Sequence, residues 1–120
     1  MTPENSLQAS CIQWFRLQYP SKLIFSIPNG ALLGGKNRFA VINMLKRTGL
    51  LNGVPDLFIA EPNTGCAGLF IELKVGKNKL RPQQEEIINM LRDRNYGVLI
   101  CYSLDDFMRG IKNYFSGGTK

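Results

Sequence analysis

The 120-residue chain is predicted to fold as a mixed α/β domain in which helices flank a small mixed sheet, in the order αβαββαβα. Three observations lead to this class. Stretches with apolar residues at helical spacing interleave with short apolar runs of strand character. No repeat, linker or low-complexity segment divides the chain, so residues 1–120 read as one domain with a frayed tail over 116–120. Finally, 44% of the residues are apolar, enough to fill one core without disulfides or a structural metal.

Each element has a local reason. Thr2-Pro3-Glu4 starts a helix, with Thr2 as N-cap, proline in the first turn and an acid at the positive end of the dipole. Leu7, Cys11, Trp14 and Phe15 then form one apolar face, and Tyr19-Pro20 ends the helix. Residues 23–27 form a strand, and Asn29-Gly30 and Gly34-Gly35 bracket the loop after it. A second helix over 38–48 turns Val41, Ile42 and Leu45 inward, with Gly49 as its stop. Strands over 56–61 and 69–75 make a hairpin about PNTGCAG. Pro82 opens a third helix carrying Ile87, Ile88 and Leu91. Residues 97–102 make a buried strand, and Ser103 with Asp106 caps a last helix through Phe107, Ile111 and Phe115.

The chain has no histidine. That excludes Ser-His-Asp and Cys-His nucleophiles and His-ligated metal sites, leaving carboxylate, lysine, tyrosine or cysteine as side-chain base. Fifteen basic against nine acidic residues give a net charge of +6, a balance that suits a polyanionic partner. Cys11, Cys66 and Cys101 are widely spaced with no C-x-x-C pair, which points to free thiols in a reducing cytoplasm. MTPENSLQAS does not resemble a signal peptide, and no apolar run approaches the ~20 residues of a membrane span.

The chemistry is expected on the strand LFIELKV. Leu69, Ile71, Leu73 and Val75 share one face; Phe70, Glu72 and Lys74 share the other. Charges on such a strand are costly unless they pair or act. A hairpin turning about Gly65 sets Asp56 opposite Lys74 and Phe58 opposite Glu72, so Asp56, Glu72 and Lys74 converge. Two carboxylates and a lysine beside a basic surface suit phosphodiester hydrolysis assisted by Mg²⁺ or Mn²⁺. The competing reading is a cross-strand surface ion pair of little energetic weight.

Residues 53–84, GVPDLFIAEPNTGCAGLFIELKVGKNKLRPQQ, resemble the catalytic core of the PD-(D/E)XK nucleases, with Pro55-Asp56 as the PD and Glu72-Leu73-Lys74 as the ExK. The chain is more closely similar to the VRR-NUC family of small nucleases. It shares with that family the helical Glu4 and Gln8, WFRLQYP ending at Pro20, IPNG at 27–30 and the glutamine after the basic loop, Gln84. The resemblance implies a restriction-endonuclease-like core in which Asp56, Glu72 and the Leu73 carbonyl hold the metal. It makes Lys74 the residue that handles water, Glu4 an acid completing the site directly or through water, and Gln84 a catalytic residue near the scissile phosphate. Lys36, Arg38, Lys46, Arg47, Lys77, Lys79 and Arg81 are candidates for phosphate contacts, and Asn29-Gly30 for close backbone approach to DNA.

The expected function is therefore a metal-dependent, structure-selective DNA endonuclease acting on branched DNA such as four-way junctions. It is expected to work as a homodimer in a bacterial cytoplasm, and its small size and family resemblance suggest a phage gene. Two alternatives stay open: a non-catalytic nucleic-acid-binding module of the same fold, and a restriction-type endonuclease reading a defined sequence.

Overall fold

A computed structural model describes residues 1–28 and 35–118. Its elements are α1 (Pro3–Gln18), β1 (Ile24–Ser26), α2 (Arg38–Arg47), β2 (Leu57–Ile59), β3 (Gly68–Leu73), α3 (Pro82–Asp93), β4 (Tyr96–Cys101) and α4 (Leu104–Phe115). The order is the expected one. Strands β1, β2 and β3 are shorter than apolar patterning suggests, because the ladder frays into single bonds such as Ile27 N–H to the Asp56 carbonyl (2.8 Å), while β4 keeps its length and begins one residue earlier. The sheet runs β1-β2-β3-β4, antiparallel except for the parallel β3–β4 pair.

One face of the sheet carries the core. Leu57, Ile59, Leu69, Ile71 and Leu73 are fully buried there against Cys11 and Phe15 of α1 and Phe107, Ile111 and Tyr114 of α4. Trp14 meets both Tyr19 and Phe107 edge-on with centroids 5.9 Å apart, tying α1 to α4. Cys11 and Cys101 are core residues whose thiols burial pushes up to about 12, so they stay protonated and inert. Both caps form as the sequence requires: Thr2 Oγ1 accepts from Asn5 N–H (3.1 Å) and Ser103 Oγ from Asp106 N–H (3.0 Å). Asp106 departs from a capping box by accepting from Tyr102 N–H instead (2.9 Å).

The other face is covered by α3 on its β4 side. Ile88 is buried against this side of the sheet, and Gln84 reaches across it to β3. Two expectations need correction here. The register is shifted by two residues, pairing Phe58 with Phe70 and Leu57 with Ile71. Asn63 causes the shift: its Oδ1 accepts from Gly65 and Cys66 N–H (2.9 and 2.7 Å) and centres the turn earlier. Because the shift is even, every side chain keeps its face. Helix α2 holds no fully buried residue: Val41, Ile42 and Leu45 are only half-buried, while Phe39 and Met44 are 68% and 50% exposed.

Ser116 to Gly118, expected to fray, continue α4 as a hydrogen-bonded turn. Gly118 N–H donates to the Asn113 carbonyl (2.9 Å), and Gly117 adopts a φ of 95°. Asn29, Gly30, Thr119 and Lys120 lie outside the described residues. No helix among the described residues is long and apolar enough to cross a membrane.

Candidate active site

Period-two alternation puts Phe70, Glu72 and Lys74 on the α3 face of β3, and the β2 register brings Asp56 level with Glu72. Asp56 Oδ2 accepts from Leu73 N–H (2.8 Å), which anchors the carboxylate at the end of the hairpin. Since N–H and C=O of one strand residue leave on the same side, the Leu73 carbonyl is turned towards Asp56. Lys74 N–H faces the other way and pairs with the Cys101 carbonyl on β4 (2.9 Å).

Glu4 comes from the first turn of α1, where the Thr2 cap fixes the start of the helix. Glu4, Asp56 and Glu72 each offer a carboxylate oxygen within 4.8 Å of the others. Two oxygens on opposite sides of one Mg²⁺ stand about 4.2 Å apart, so small side-chain movements suffice for a shared ion. Three hard oxygen ligands fit Mg²⁺ or Mn²⁺ and would suit a softer metal poorly. Burial first, then the neighbouring Asp56 charge, push Glu72 up to about 8; burial also raises Asp56, against the lowering effect of Leu73 N–H. Lys74 and, for Glu72, Arg81 act in the opposite direction but do not outweigh burial and the neighbouring carboxylates, a balance that a divalent cation would reverse.

Gln84 organises the other half of the site. It is 5% exposed, with Oε1 accepting from Lys74 Nζ (2.8 Å) and Arg81 N–H (2.9 Å), and Nε2 donating to Glu72 Oε2 (3.0 Å). Lys74 Nζ also lies 3.8 Å from Glu72 Oε2. The backbone of Gly53, at φ 94°, allows the approach of α3: a Cβ there would sit 2.6 Å from the Gln83 carbonyl oxygen.

These groups open into a cavity of about 650 Å³ lined by Glu4, Asp56, Glu72, Lys74 and Gln84. Of the seven basic candidates, Lys46, Lys79 and Arg81 join its lining; Lys36, Arg38, Arg47 and Lys77 are exposed elsewhere. Asn52 and Asn78 also line it. Sequence reasoning missed both, since Asn52 beside Gly53 reads as turn chemistry and Asn78 as part of a basic loop. Ile42 of α2 forms part of the wall, which explains why that helix faces a cleft rather than the core.

A solved structure described as a VRR_NUC domain protein superposes with a TM-score of 0.77 over 99% of this chain and 93% of its own, at 24% identity. It shares the fold, a small mixed sheet with flanking helices of the restriction-endonuclease-like kind. Among curated proteins no significant match is found. The VRR-NUC domain family matches residues 2–105, a span that takes in Glu4, Asp56, Glu72, Lys74 and Gln84 alike. The chain therefore belongs to the VRR-NUC family of nuclease-type domains.

Proposed function

We propose that this chain is a metal-dependent DNA endonuclease selective for branched structures, acting as a homodimer. The observation that carries the reading is the convergence of three carboxylates within 4.8 Å beside a buried lysine, in a cleft rimmed by Lys46, Lys79 and Arg81. Asp56, Glu72 and the Leu73 carbonyl would hold Mg²⁺ or Mn²⁺, with Glu4 completing the set directly or through water. When bound, the ion supplies a Lewis acid to the scissile phosphate.

The side chains do the rest. Gln84 holds the Lys74 ammonium at 2.8 Å and thereby aims its remaining N–H groups into the cavity. From there Lys74 orients the attacking water and stabilises the negative charge that develops on the phosphate. Lys46, Lys79 and Arg81 neutralise neighbouring phosphates and set the position of the backbone without reading bases. A second copy of the chain gives two sites, which suits paired cuts across a junction. A pure binding module has no use for a buried Glu-Gln-Lys network.

The test is cleavage of a four-way junction, a flap and plain duplex by wild type and Lys74→Ala, with Mg²⁺ or Mn²⁺ and with chelator. Metal-dependent cutting of branched DNA that drops about 100-fold or more in the variant is the expected result. Binding without cutting under every metal would support the binding-module reading, and cutting of duplex at one fixed position the restriction-type reading.

A further inference from the structure

The sheet face that carries the carboxylates also carries a row of aromatic rings, one from each strand. Phe25 of β1 lies 5.7 Å from Phe58 of β2, Phe58 lies 4.4 Å from Phe70 of β3, and Phe70 lies 5.5 Å from Tyr96 of β4, all between centroids. The core is on the opposite face and uses none of them. The helix packed on this face, α3, lies over β4. Phe25 is 42% exposed, and Phe58, Phe70 and Tyr96 are partly exposed. Gly68 makes room for the row: a Cβ there would sit 2.9 Å from the Phe58 ring.

The row lies on the same sheet face as the carboxylates, one step along the strands from them, and none of its rings lines the cavity itself. Phe70 precedes Glu72 by two residues on β3, and Phe58 follows Asp56 by two on β2, so the rings begin about 7 Å along the strands from the carboxylates. That is about the reach of one extended nucleotide. Exposed π-faces accept bases of any sequence, provided the bases are unpaired. Arg94 adds an exposed positive charge two residues from Tyr96.

We infer that this aromatic row is a platform for unpaired bases, so that the DNA taken by the site carries a single-stranded segment beside the scissile phosphate. The inference rests on the nuclease reading and specifies its substrate class. A second copy of the chain is the weaker occupant. With Phe25 the most exposed ring at 42%, four rings of about 200 Å² each present at most about 350 Å². A stable interface needs about 800 Å² from each partner.

The experiment uses a ten-nucleotide single strand containing 2-aminopurine, titrated with the full chain in Ca²⁺, alongside a blunt duplex. Phe25→Leu keeps the apolar volume and removes the π-face; Phe25→Trp keeps both. Leu17→Ala, at a 73% exposed position on α1, is the surface control. The expected result is quenching of 2-aminopurine by wild type and by Phe25→Trp. Phe25→Leu should weaken single-strand binding about 5-fold or more, change duplex binding less than twofold, and unfold at the wild-type temperature. Leu17→Ala should bind as wild type does. Equal single-strand binding by wild type and Phe25→Leu overturns the platform, as does conversion of a dimer to a monomer by that substitution. A wild type that stacks the base but cuts no DNA refutes the nuclease reading and leaves the platform. One that cuts junctions while Phe25→Leu still binds single strands normally does the reverse.

Discussion

Gln84 shows how much of the site depends on one neutral side chain. Its amide accepts from Lys74 and from the N-cap residue of α3, Arg81, while donating to Glu72, so it couples the lysine, a candidate metal-binding carboxylate and a helix start. Gln84→Ala leaves buried polar groups on β3 without this partner, at about 1–3 kcal/mol for each group orphaned. A lower urea midpoint with an unchanged slope is therefore expected, together with reduced cleavage. Asp56, Glu72 and Lys74 were legible in the sequence because charge is rare on an apolar strand. Gln84 was identified by family resemblance, and its position beside Pro82 reads locally as a solvated first turn. Its burial arises only when α3 docks over β4 and the amide reaches across to Glu72 on β3.

At the level of elements, loops set the positions of the carboxylates. Gly53, at φ 94°, brings the segment before Asp56 against the Gln83 backbone. Gly53→Ala imposes an unfavourable left-handed conformation and a contact with a backbone atom that cannot rotate away. A loss of stability above about 1–2 kcal/mol in chemical denaturation is expected, with weaker metal binding as Asp56 shifts. The hairpin teaches a related lesson about register. Strand identities and faces followed from alternation, but the pairing depended on where Asn63 places the turn, a matter of side-chain hydrogen bonds rather than periodicity. Helix α2 was recognisable by its spacing, yet its orientation was not. An apolar face predicts burial without saying whether a core or a cleft receives it.

At the scale of the whole molecule, the site makes stability depend on pH and on metal. Glu72, ordinarily near 4.5, is raised to about 8 by burial and by Asp56. Between those values the folded chain retains a proton that the unfolded chain has lost, so stability falls as pH rises. In chelator, the thermal midpoint should drop by about 4 °C or more from pH 5.5 to pH 8, roughly the effect of 1 kcal/mol in a domain of this size. Adding Mn²⁺ should flatten that dependence. Metal affinity should in turn rise with pH, by up to about tenfold per unit for each proton displaced. A midpoint that climbs towards pH 8 in chelator would contradict the raised carboxylate.

The sequence by itself determined the order of elements, the two faces of β3, the exclusion of histidine chemistry and the candidate acids and lysine. Those features depend on short-range periodicity and residue chemistry, which are local. Tertiary structure decided the register, the burial of Gln84, the role of α2 as a cleft wall and the closeness of Glu4 to residues more than fifty positions away. Each of these depends on which surfaces meet once the core has formed on the opposite face of the sheet, and no local pattern encodes that.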